Sequence, residues 1–185
     1  MKKLSILVFT ALTGASLPAA IQAAQGGGAL YSNVGATIVT NDSHNENAYF
    51  FEIGYNHKLD EIFSADFSYK KVETLDSSVS PNSNDFVQAY DLYSIGVRAD
   101  QNLGELSVYG AAGASYVKSE LTTWDTTAGA EQVDKDETLK PYARAGINIA
   151  SPYDKRLTFG AAIDYQMLPH AGHATSLSGG FNYAF

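Results

Sequence analysis

From residue 29 onward the chain alternates apolar and polar side chains with a period of two. The runs are about 10 to 14 residues long and are separated by turn-rich stretches. That period is the signature of β-strands with two unlike faces. It predicts eight strands, over 29–40, 48–58, 62–74, 87–99, 105–118, 138–150, 155–167 and 174–185. No helical periodicity competes with it in this region. The connections alternate in length. Short turns follow the second, fourth and sixth strands, at 59–61, 100–104 and 151–154. Longer links follow the odd strands, and 119–137 is expected to be the longest loop. An even number of strands places both termini at the turn end. Short turns at one end and long loops at the other is the arrangement of a barrel that spans a membrane.

The first 23 residues are read separately from the fold. Lys2 and Lys3 precede an apolar run, Leu4–Leu12, and Ile21-Gln22-Ala23 fits a signal-peptidase site with cleavage after Ala23. The run is too short to span a bilayer as a helix, which takes about 20 apolar residues. An exported precursor is expected, with a signal peptide over 1–23 and one domain over 24–185. Losing Lys2 and Lys3 moves the formal charge from -8 to -10. An acidic chain is poorly suited to nucleic acid, whose phosphates call for Lys and Arg. There is no cysteine, so neither a disulfide framework nor a lipid-modified thiol is available.

Alternation alone does not say which face points inward. Gly35, Gly54, Gly96, Gly113, Gly146, Gly160 and Gly180 all fall on the polar phase. Glycine weakens a strand, and an eight-stranded barrel is only just wide enough for side chains. Long charged side chains fit there only beside small neighbours, so the polar phase is expected inside. On the apolar phase, Tyr49, Phe51, Tyr69, Tyr93, Tyr116 and Tyr165 gather towards the loop end. Tyr55, Phe63 and Phe185 gather towards the turn end. That spacing suggests two interfacial girdles.

The ending Gly179-Gly180-Phe181-Asn182-Tyr183-Ala184-Phe185 resembles the carboxy-terminal signature of bacterial outer-membrane proteins, with Phe181, Tyr183 and Phe185 at alternate positions. With the eight strands and the leader, the chain resembles the porin-like and OmpA-like small barrels of Gram-negative bacteria, including the OmpX/Ail type. The resemblance implies an all-β, closed, eight-stranded antiparallel transmembrane barrel of meander topology in the outer membrane. It also implies monomeric insertion by the barrel assembly machinery after handling by periplasmic chaperones, among outer-membrane lipid and lipopolysaccharide.

Four constellations bear on function. The polar phase carries Glu52, Asp66 and Asp164 with Lys70, Arg98, Lys140, Arg144 and Arg156. Charges in so narrow a lumen must be paired, and the turn at 151–154 suggests that Asp164 meets Tyr142 and Lys140. Such a network either plugs the tube or lines a narrow pore. His44, His170 and His173 lie in loops that closure of strand one on strand eight brings together. Such an imidazole cluster could bind zinc or copper, but its His-x-x-His spacing lies in a loop rather than on a helix face, and no metal or cofactor is expected. His173 and Ser176 differ by an odd number, so a strand puts them on opposite faces. A serine nucleophile needs its histidine within hydrogen-bond reach, so an enzyme acting on lipid A is the least supported alternative. The outer links are rich in acids, and Trp124, the only tryptophan, sits among them as a candidate contact residue. The expectation is a structural or surface-interaction protein, adhesin-like, with a plugged lumen.

Overall fold

The computed structural model describes residues 27–41, 44–74, 87–125, 130–169 and 172–185. The predicted cleavage point at Ala23 and His170 lie outside them. Eight strands follow one another: β1 Gly28–Asn41, β2 His44–Lys58, β3 Phe63–Thr74, β4 Val87–Leu103, β5 Leu106–Asp125, β6 Ala130–Ala150, β7 Leu157–Met167 and β8 His173–Ala184. Each pairs antiparallel with the next, and β1 pairs with β8 to close the barrel. Gly28 and Phe185 exchange two backbone hydrogen bonds at the seam, 3.2 and 2.9 Å long. A closed ladder leaves no strand edge around the tube itself.

The two phases of each strand separate as the glycines suggest. Glu52 is 0% exposed and Asp66 1%, whereas Leu177 is 67% exposed and Ile163 55%. Buried charges lie in the interior, and the outer wall is an apolar band. Gly54 shows why small residues are needed inside: a Cβ there would fall within the Tyr31 ring from the neighbouring strand.

Tight connections close the turn end. Gly104 and Glu105 alone join β4 to β5, with Gly104 at φ 82°, a conformation that glycine reaches without strain. Between β2 and β3, Asp60 accepts hydrogen bonds from the backbone N–H groups of Phe63 and Ile62, each 2.7 Å. Those two donors hold its carboxyl below the ordinary carboxylate value. Because the folded value is depressed, the contribution is complete above the unfolded value and is lost as pH falls through the folded one. Asp60→Ala is therefore expected to lower the urea midpoint of the barrel at pH 7. The gap to the parent should close in acid, as a paired titration at the two pH values will show.

The expected long loop at 119–137 is instead mostly strand. β5 runs to Asp125 and β6 starts at Ala130, with residues paired from Lys118–Glu137 out to Asp125–Ala130. Its acids suggested a solvated link. Leu121, Thr122, Thr123, Val133 and Thr138 are strand formers, and Lys118–Glu137 and Lys135–Glu120 bridge the two strands.

Candidate functional site: a filled lumen and a protruding sheet

The lumen is built in three tiers. The middle tier centres on Arg144 of β6, directly opposite Asp164 of β7. Its Nε donates to Asp164 Oδ1, its Nη2 to Glu52 Oε1, and its Nη1 to the Tyr31 hydroxyl at 3.3 Å. Glu52 also accepts from Asn33 Nδ2 at 2.9 Å. Asp66 accepts from the hydroxyls of Tyr31 at 2.9 Å and Tyr142 at 3.1 Å. Lys70 donates to Ser176 Oγ at 3.0 Å and lies 3.9 Å from Asp164 Oδ2. These bonds tie strands from opposite sides of the tube. A buried charge without partners costs several kcal/mol, so the network fixes the side chains as well as filling the space.

Towards the loops the interior changes character. Val39, Phe50, Val72, Leu92, Val117 and Leu168 form a buried apolar cluster. Leu168 comes from the β7–β8 connection, where its N–H donates to the Gly172 carbonyl at 2.8 Å. Lys70 Nζ marks the boundary, 3.8 Å from the centre of the Phe50 ring. This apolar stopper was missed in the sequence, although the signal is there. The inward phase turns apolar at the loop ends of β1 to β5.

Towards the turns the interior is polar and hollow. Arg98 grips Asp100 through two nitrogens, with the shortest contact 2.6 Å, and its guanidinium lies 3.7 Å from the Tyr109 ring centre. Of the eight predicted interior ions, Glu52, Asp66, Lys70, Arg144 and Asp164 meet in the middle tier, and Arg98 stands apart with Asp100. Lys140 is half-buried, and its neighbour on β5 is Ser115, so it does not meet Asp164. Arg156 is exposed. It belongs to the turn before β7, where it pairs with Asp154 at 3.2 Å. The predicted start of that strand is two residues early, and the shift moves Arg156 out of the lumen.

The remaining candidates whose side chains are described stand apart from one another. His173 faces outward and stacks on Tyr165 at 5.5 Å, while Ser176 points inward and bonds Thr37 Oγ1 at 2.9 Å. His57 lies at the turn end, 3.2 Å from the Tyr55 hydroxyl. Among the described residues, no group of three or more His, Cys, Asp or Glu is placed to hold a metal ion. Trp124 is paired in register with Glu131 within the β5–β6 hairpin.

That hairpin is the second feature. β4 accompanies β5 as far as Val87–Thr122, but β7 meets β6 only from Tyr142 onward. Among the described residues, Ala130–Pro141 therefore have a strand partner on one side only. Pro141 cannot donate a backbone hydrogen bond, and the ladder to β7 stops at the adjacent pair, Tyr142–Gln166. Gln132 to Lys135 are exposed on both faces, so the sheet here stands clear of the barrel. The bare edge covers about 40 Å at roughly 3.3 Å per residue. Bonds from Tyr116 and Lys118 hold the Glu137 carboxyl below the usual carboxylate range.

No family profile and no curated protein matches the sequence. Solved structures do resemble it. Ail, the attachment invasion locus protein of Yersinia pestis, is 16% identical with a TM-score of 0.61, over 88% of this chain and 100% of its own. Neisserial surface protein A is 14% identical with a TM-score of 0.65, over 87% and 100%. The outer membrane protein OprG of Pseudomonas aeruginosa is 12% identical with a TM-score of 0.58, over 86% and 96%. The chain thus has the fold of the small closed β-barrels found among outer-membrane proteins.

Proposed function

We propose that this protein resides in the bacterial outer membrane as a non-enzymatic surface-interaction protein, exported with cleavage after Ala23. Its working part is the sheet that β4, β5 and β6 raise above the barrel. One observation carries this reading: the strand edge of Ala130–Pro141, whose backbone ladder among the described residues runs along β5 alone. A long bare edge is a template for another strand. Main-chain bonds supply the affinity, and the side chains on either face supply selectivity. Residues 118–140 contain six acids and three lysines, which favours a basic, extended partner. Ail has been solved with the heparin analogue sucrose octasulfate. The acidic sheet of this chain argues against a polysulfated ligand at the same place.

A narrow pore has less support. An apolar cluster lies above Lys70, and the acids and bases below it are bonded to one another. Replacing Leu121–Asp134 with Asn-Gly joins Glu120 to Lys135 through a two-residue turn. Cells displaying that variant should lose at least tenfold in attachment to a surface coated with basic peptide. The barrel should keep the heat-modifiable gel mobility of a folded one. Attachment equal to the parent's would remove the sheet from the function.

A further inference from the structure

An apolar cluster occupies the loop half of the lumen, whereas the turn half is hollow. A tube that only needed filling would be packed at both ends, because voids forfeit dispersion contacts. The hollow measures about 440 Å³ and takes lining from all eight strands. That volume lies within the range of small-molecule sites, about 300–1,000 Å³. It is blind, since the Arg144 tier and the apolar stopper close it from above.

Its walls combine charged groups with amides and hydroxyls. Four amides face it, from Asn56, Asn102, Asn148 and Asn182, together with the hydroxyls of Ser64 and Thr158. Amides and hydroxyls donate and accept at close intervals, which suits a ligand that does the same. Asn56 is 6% exposed, and its Oδ1 has no hydrogen-bond partner in the protein. A buried acceptor left in that state is costly, and a ligand donor would satisfy it. The back wall is held rigid: Asp100 clamps Arg98, Tyr109 supports it, and Asn182 Nδ2 donates to Asn148 Oδ1 at 3.1 Å.

Charge narrows the class further. Arg98 is matched by Asp100 and Arg156 by Asp154. With those pairs set aside, Lys58 and Lys155 remain at the mouth against Glu61. Counted on side chains, the mouth therefore carries one surplus positive charge in a chain whose formal side-chain charge is -8. We propose that the turn-end cavity binds a small acidic sugar, in which a single carboxylate meets the lysines and the hydroxyl and N-acetyl groups meet the amides. This site is independent of the sheet at the opposite end.

The test uses the purified full chain, folded in an amine-oxide detergent that carries neither sugar nor phosphate. Side-chain amide signals of asparagine are followed by NMR while N-acetylmuramic acid is added. N-acetylglucosamine, lactate and inorganic phosphate serve as matched controls. Saturable shifts at Asn56 and Asn148 are expected, with N-acetylglucosamine binding at least tenfold more weakly. Lys58→Gln with Lys155→Gln, both at the exposed mouth, should bring the two sugars within about twofold of each other. Asn56→Ser should weaken both. Absence of saturable shifts, or equal affinity of the parent for the two sugars, overturns the proposal. Lactate or phosphate binding as tightly as the acidic sugar also overturns it, since the site would then read only an anion.

Discussion

Arg144→Leu is expected to destabilise the folded barrel by about 3–5 kcal/mol, the usual cost of removing one partner from a buried ion group. Leucine fills much of the volume, so the loss is electrostatic rather than a cavity effect. Arg144 serves two carboxylates at once, Glu52 and Asp164, and also donates to Tyr31. Its removal leaves Glu52 with the Asn33 amide and leaves Asp164 with Lys70 at 3.9 Å. Lys70 then faces both acids. The stranded charge is the cause, so adding Glu52→Gln to the variant should recover part of the loss. Denaturant titration of the refolded barrel measures both steps. A midpoint equal to the parent's would mean that water or a rearranged Lys70 replaces the guanidinium. Glu52→Gln with no recovery would place the penalty elsewhere in the tier.

Which side chains point inward was legible in the sequence because the period of a strand is strict and an eight-stranded lumen is crowded. Gly54, Gly96 and Gly146 could be assigned inside on that ground alone. The tyrosines they accommodate could not. Cβ atoms at those positions would strike the rings of Tyr31 and Tyr109 or the Tyr142 hydroxyl. Contacts across the lumen were hidden for the same reason. Arg144 and Glu52 are 92 residues apart and Tyr142 and Asp66 are 76 apart. No local pattern links such pairs, because they depend on tilt and stagger around the whole barrel. Asp164 was expected to meet Lys140, but the turn sets Arg144 opposite it instead. In a β-hairpin a turn two residues longer moves every opposite pair. The protruding sheet was concealed by composition: density of acids outweighed an alternation that continues through Leu121 and Val133. The resulting one-sided edge depends on where neighbouring strands end, which no local pattern carries.

Ile163→Arg tests the orientation of the whole wall, and the size of its effect depends on the surroundings. Ile163 is 55% exposed, near the middle of β7, between Ala145 of β6 and Leu177 of β8. On a water-facing surface such a change costs little, usually within about 0.5 kcal/mol. At the midplane of a bilayer, arginine on the outside of a barrel costs about 2–4 kcal/mol. The variant should therefore unfold at a lower denaturant concentration than the parent when both are reconstituted in phospholipid vesicles. The same substitution at Tyr153, 97% exposed in the turn before β7, should change little, because that position lies beyond the apolar band. A depth series along β8 sharpens the argument. Leu177→Arg should match Ile163→Arg, whereas Tyr183→Arg, nearer the turn end, should cost less, because the penalty falls towards the interface. Equal, small effects at all these positions would mean that water rather than lipid covers the band. The lumen would then be the polar core of a soluble protein, with its largest apolar side chains left in solvent against the hydrophobic effect.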